Sequence, residues 1–156
     1  MQKTNAMRIL DQKKIIYHVY EYEADEFKDG KSVAIAIGKD PKLVYKTIVC
    51  HSKKGQNYVL VLPVECTLDL KKVAELVNEK SVELLDLKLL EETTGYIRGG
   101  CSPIGMKKYY QTIIDQTALE HDKIIISGGR RGIQIELSPN DLAKVIKFSF
   151  GQIGYF

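Results

Sequence analysis

At 156 residues the chain is long enough for one domain with one real core, and its 44% apolar content excludes an intrinsically disordered class. Twenty-three Lys and Arg against 20 Asp and Glu leave a net charge of +3, too small to announce nucleic-acid binding by itself. No apolar run reaches the length of a membrane span, and the N-terminal MQKTNAMRILDQKK lacks the apolar centre of a signal peptide, so a cytoplasmic protein without a membrane partner is expected.

Thr4 is placed to cap a helix running to about Gln12, to which Met7, Ile9 and Leu10 contribute the apolar contacts. IIYHVYEY, residues 15 to 22, is β-branched and aromatic and predicts a strand with Ile16, His18, Tyr20 and Tyr22 on one side. In the turn-like EADEFKDGK that follows, Phe27 stands among charges, either covering the core under a loop or lining a pocket. SVAIAIG, residues 32 to 38, fits a short buried helix as well as a strand. Ser32 as a cap and Gly38 as a stop favour the helix. Asp40-Pro41 has the cap and first-position chemistry of a further short turn.

YKTIVCHS and NYVLVLPVE flank SKKGQ and predict a hairpin, which stands Lys46 and Thr47 at the start of a strand, on the rim of a sheet. LDLKKVAELVN, residues 68 to 78, has helical spacing at Leu70, Val73, Leu76 and Val77, and DLKLLEETTG predicts a second helix ending at Gly95. KYYQTIIDQ and KIIISGGRRGIQIEL predict three more strands, the last two joined by a glycine-rich turn. SPND has the Ser-x-x-Asp form of a capping box, with Pro139 at the first position of a helix DLAKVIKF. Without repeat, low-complexity tract or linker, residues 1–156 read as a single domain. Hairpins with helices inserted between them imply an α+β class with a mixed, mainly antiparallel sheet. Neither GxGxxG nor GxxxxGK[ST] occurs, so no nucleotide cofactor is expected.

The least regular stretch is GYIRGGCSPIGMKK, residues 95 to 108. Glycines let backbone approach a ligand closely, and Pro103 stiffens the far side of the loop. It reads as a binding surface whose Cys101 is either a nucleophile or a small packed side chain. Cys50, Cys66 and Cys101 are too far apart for a CxxC site, and adjacent Cys50 and His51 on a strand point to opposite faces. His18, His51 and His121 are scattered, and no metal is expected. Lys39, Lys42, Lys46, Lys53-Lys54, Lys107-Lys108 and Arg130-Arg131 cluster at loops and element ends, either as solvated surface or as contacts to a phosphate backbone. Ser127, Gly128 and Gly129 make either a tight hairpin or part of a pocket.

Together Tyr20, Phe27, Lys46-Thr47, TGYIRGGCSPIGMKK from Thr94, TALE from Thr117 and SGGRRG from Ser127 resemble the YbaK family of Cys-tRNA(Pro) deacylases, relatives of the editing domains of prolyl-tRNA synthetases. The resemblance runs over nearly the whole chain. It implies an α/β domain around a mixed, barrel-like sheet, and a cytoplasmic trans-editing enzyme that hydrolyses cysteine mischarged onto tRNA(Pro) without a cofactor. Its partners would be that tRNA and, as a candidate, prolyl-tRNA synthetase. Lys46 corresponds to the lysine on which family activity depends, and the loop from Gly99 through Gly100, Cys101 and Ser102 to Pro103 to the GxxxP loop that holds the aminoacyl group. Tyr20, Phe27, Thr47 and Ser127, with Gly128 beside it, fall on pocket positions. Position 101 is not reliably cysteine in the family. The family implies attack by the substrate's own thiol; on physical grounds the N–H groups of GGCSP, Gly99 and Gly100 among them, suit the carbonyl oxygen, and Lys46 suits a fixed cation for the terminal nucleotide's phosphate or for the departing ribose oxygen. Two other classes remain open: a non-catalytic tRNA- or synthetase-binding module, and a Cys101-dependent hydrolase of a small ester or amide.

Overall fold

The computed structural model describes residues 1–156, with five α-helices and ten strands. Side-chain caps set most of the helix starts. Thr4 Oγ1 accepts from the Met7 amide ahead of α1 (Asn5–Gln12), an interaction worth about 1 kcal/mol. α1 buries Ala6, Met7 and Leu10 completely. Asp29 caps α2 (Gly30–Ala36), one turn earlier than the expected Ser32. The Ser32 amide donates to Asp29 Oδ1 at 2.9 Å, so the serine lies inside the turn that the aspartate closes. Asp40 caps the short 3-10 turn Pro41–Leu43, Asp69 caps α3 (Leu70–Leu76) and Asp86 caps α4 (Leu87–Thr94). α4 ends on Gly95 in the left-handed region at φ 87°, where a β-carbon would be strained. Ser138 caps α5 as SPND predicts, but α5 (Pro139–Leu142) is a single turn rather than a helix through Phe148.

The strands form three groups. β1 (His18–Glu21), β8 (Ile133–Leu137) and β7 (Ile124–Ser127) make a three-stranded antiparallel sheet in the order β1-β8-β7. β1 is shorter than the expected strand, and Ile16 lies outside it, exposed. A five-stranded sheet runs β5 (Val82–Leu84), β2 (Tyr45–Ser52), β3 (Asn57–Pro63), β6 (Gln111–Asp115), β9 (Ser149–Gly151). β2 and β3 form the expected hairpin around residues 53–56. β3–β6 and β6–β9 are parallel and every other pairing is antiparallel, so the sheet is mixed as expected. The β3-to-β6 crossover carries α3, β5, α4 and the glycine loop. A parallel bridge between Val44 and Ile125 joins the two sheets, which do not close into the barrel implied by the family resemblance.

Alternation on the central strands divides the interior in two. Tyr45, Val49, Val59, Val61 and Ile114 face a core shared with α1, β7 and β8, while Cys50, Tyr58, Leu60, Leu62 and Ile113 face a second core under α3. Each fully buried aliphatic side chain contributes about 1.5–3 kcal/mol, so both layers matter to stability. The C-terminus locks the second core. β10 (Gly154–Tyr155) pairs with β4 (Thr67–Leu68), the Ile153 amide donates to Asp115 Oδ1 at 3.0 Å, and the Ile153 carbonyl accepts from the Asp69 amide at 2.8 Å.

Candidate active site

β2 leaves the junction of the two sheets with Tyr45, Lys46 and Thr47 in sequence, and all three line a cavity of about 140 Å³. Gly99 and Cys101 of the glycine loop form a facing wall, and Ser127 and Gln134 at the ends of β7 and β8 complete it. Five of the residues singled out from sequence therefore meet in one place: Lys46, Thr47, Gly99, Cys101 and Ser127. Phe27 lies in an adjoining cleft that shares Gly99 with this cavity. Tyr20 sits opposite Gln134 across β1–β8, but its hydroxyl turns along the strand to Glu136 at 3.0 Å and it does not line the cavity.

The Lys46 ammonium donates to the Cys66 carbonyl at 2.6 Å and to the Val64 carbonyl at 3.4 Å. It has no carboxylate partner. Burial lowers its pKa, because desolvation disfavours the charged form and the coulombic pull of the Cys66 thiol group offsets it only in part. Thr47 Oγ1 is the one buried side-chain oxygen or nitrogen in the chain without a hydrogen-bond partner. An orphaned hydroxyl in a cavity wall is a group held ready for something the cavity takes in. Tyr45 is fixed from behind: Thr117 donates to Asp115 Oδ2 at 2.7 Å, which leaves Thr117 Oγ1 to accept from the Tyr45 hydroxyl at 2.8 Å. Burial pushes the Tyr45 phenol up to about 12.

The glycine loop is tightly determined. Gly99 has φ 84°, open to glycine and strained for other residues. A β-carbon on Gly100 would fall 2.8 Å from Arg130 Cα, so the loop and the SGGRRG turn touch backbone to backbone. The Gly100 amide donates to the Ile97 carbonyl at 3.0 Å, whereas the amides of Gly99, Cys101 and Ser102 bond to no other group of the protein. Ser102 is fully buried and its hydroxyl accepts from the Ile104 amide. Pro103 faces a different depression, beside Ile9 and Tyr109. Gly128 packs under Ile133, and its carbonyl accepts from Thr4 Oγ1. The Cys101 thiol is 8% exposed and burial pushes it up to about 12, so it carries no thiolate at neutral pH. No three of the histidines, cysteines and carboxylates gather as a metal site would require.

Several lining residues were not anticipated. Tyr22 and Lys28 are the neighbours of residues that were singled out, Tyr22 just beyond the end of β1 two residues after Tyr20 and Lys28 by adjacency to Phe27. Gln134 and Tyr45 arrive through strand register and the packing of two sheets, for which the residues themselves give no local signal.

The fold is shared with solved structures. One, described as "a putative trans-editing enzyme for prolyl tRNA synthetase", matches with a TM-score of 0.84 at 20% identity, over 99% of this chain and 100% of that one. "Hypothetical protein APE2540" matches with a TM-score of 0.84 at 19% identity, over 97% and 100%. At such identities the likeness establishes the architecture alone. Sequence goes further: residues 25–145 match the aminoacyl-tRNA editing domain, and the chain belongs to that family, as its resemblance implies. A relative from Enterococcus faecalis (strain ATCC 700802 / V583), named "Putative Cys-tRNA(Pro)/Cys-tRNA(Cys) deacylase EbsC", is 44% identical over 97% of this chain and 93% of its own length.

Proposed function

We propose that the chain is an aminoacyl-tRNA deacylase that releases cysteine from mischarged tRNA(Pro), with residues 1–156 acting as one unit in the cytoplasm. The observation that carries the reading is a small cavity with an ammonium that has no carboxylate partner on one wall and the unpaired backbone N–H groups of Gly99 and Cys101 on the other. That is the charge arrangement an ester needs as its carbonyl oxygen turns anionic and its alcohol departs. The 44% identical relative named for the same activity supports the substrate class.

In the proposed reaction the amides of Gly99 and Cys101, which line the cavity, polarise the ester carbonyl, while the expected Gly100 amide is taken by the Ile97 carbonyl and Ser102 is buried behind the loop. The cysteine thiol of the substrate attacks its carbon, forming a C–S bond and breaking the C–O bond to the ribose. The thiol proton ends on the departing ribose oxygen, whose charge Lys46 neutralises. A thiolactone leaves and is opened by water. The depressed Lys46 pKa suits this role, since a proton less firmly held is easier to share with a developing alkoxide. Thr47 Oγ1 gains the partner it lacks from the amino acid. Tyr45, held by Thr117 and Asp115, stiffens the strand from which both residues project.

Cys101 as a nucleophile fits poorly, because its buried thiol has no base beside it. Prolyl-tRNA synthetase, as the enzyme that would generate the substrate, is the second partner of this reading, and its effect on KM measures that link. The test of the function is a set of release time courses on Cys-, Ser-, Ala- and Pro-tRNA(Pro). Cysteine is expected to leave fastest by orders of magnitude, and equal rates for Cys-tRNA(Pro) and Ser-tRNA(Pro) overturn the role of the substrate thiol.

A further inference from the structure

At Gly99 the small cavity adjoins a second cleft, of about 540 Å³. Its walls carry the rings of Tyr22 and Phe27, the exposed Ile97, and three cations, Lys28, Arg98 and Arg131. No acidic side chain lines it. Arg131 donates to the Ala24 carbonyl at 3.1 Å and lies 3.5 Å from Asp25, itself 87% exposed, and so holds the neighbouring turn in place. Lys28 and Arg98 have no ion-pair partner. Two cations without ion-pair partners thus stand beside two aromatic rings. Such a surface suits a ligand that carries negative charge at intervals and planar groups between the charges.

We propose that this cleft is the docking track for the single-stranded 3′ end of the tRNA, with backbone phosphates against Lys28, Arg98 and Arg131 and bases on Tyr22 and Phe27. Single-stranded RNA is recognised by this combination, since every base has a face to stack and every linkage a charge to neutralise. Continuity supports the assignment. Gly99 and Lys28 belong to both the cleft and the cavity, so a strand lying in the first delivers its terminal ribose ester to the second. Gly99 keeps that passage open, because a β-carbon there would press on Arg131 Cγ at 3.2 Å. Phe27, stranded among charges in the sequence and only half-buried in the fold, thereby gains a role for its ring. The inference rests on the deacylase reading for the identity of the RNA.

The test is a binding measurement that needs no turnover. An uncharged acceptor-stem minihelix of tRNA(Pro), with and without its unpaired 3′ end, is titrated against the protein by fluorescence anisotropy. The complete minihelix is expected to bind about tenfold more tightly than the trimmed one, a difference that Arg98→Ala and Phe27→Ala each reduce to about twofold or less. Arg98→Ala is also expected to lower the log–log salt slope by about 0.7, one phosphate contact. Equal affinity for both minihelices overturns the proposal, as does displacement of the minihelix by inorganic tripolyphosphate as effectively as by the free 3′ trinucleotide. Cysteine release by the unaltered protein from 3′-O-cysteinyl adenosine, measured separately, tells a failure of the deacylase reading from a failure of the track.

Discussion

The two walls of the cavity are built from different materials. On the β2 wall the chemistry lies in side chains that do little for the fold. Lys46 is tied only to two carbonyls, and Thr47 Oγ1 is tied to nothing. On the loop wall the chemistry lies in the backbone, and the side chains and glycines around it are what hold the loop in shape. Gly100 abuts the Arg130 backbone, Tyr96 donates to the Ile104 carbonyl, and Thr94 Oγ1 accepts from the Tyr96 amide. The contrast teaches that activity and stability separate on the first wall and are bound together on the second.

Lys46→Ala breaks the first wall most directly. Its kcat/KM on Cys-tRNA(Pro) is expected to fall roughly 10²- to 10³-fold, the scale of losing one group that stabilises developing charge. The melting temperature should move by no more than about 2 °C, since the substitution removes a cation that burial already disfavours. A parallel collapse of both would show that the lysine is structural. Gly100→Ala tests the second wall. Its β-carbon must displace Arg130 backbone at a cost of about 1–3 kcal/mol, or about 2–4 °C in melting temperature per kcal/mol. Activity and stability should then decline together, and a stable but inactive variant would assign Gly100 a contact with substrate.

Thr47→Val sharpens the comparison from the other side. Replacing an unpartnered buried hydroxyl by a methyl group of the same shape should leave stability unchanged or raise it by about 1 kcal/mol, while release slows about tenfold. Unfolding curves and initial rates on one preparation decide it. The smallest effect is expected from Cys101→Ser, with a rate within about threefold of the parent and the same pH profile, rising with the substrate thiol near pH 8.5. The folded-state pKa of the Cys101 thiol is raised from 9.0 to about 12, so its contribution to stability is complete below about pH 9 and is lost as pH rises toward 12. Cys101→Ser should flatten that alkaline decline, and iodoacetamide at pH 8 should leave Cys101 unmodified in the folded protein.

Much of this was legible wherever one residue sets a local event. Thr4, Asp40 and Ser138 start their elements as capping chemistry dictates, and Gly95 ends α4 because it can adopt positive φ. What escaped were the two- and three-residue strands β4, β5, β9 and β10, too short to show a period and formed only because a neighbouring strand offers them an edge. The same limit applies to the site. Lys46 with Thr47 and Gly99 with Cys101 could be picked out as local groups, yet that they face each other depends on the crossover between β3 and β6. Gln134 enters through register alone. Phe27 was legible as an anomaly and is placed by a turn that Arg131 holds from another part of the chain.

The clasp at Ile153 hides a strand edge. β9 covers β6 in the five-stranded sheet, β10 pairs with β4, and the buried Asp115 carboxylate receives its second backbone partner from Ile153. Detachment of residues 149–155 uncovers the parallel edge of β6 and removes one of the two amide donors to Asp115 in the same event. A local opening of this one segment thus turns a strand paired on both sides into one that offers a free edge to another chain.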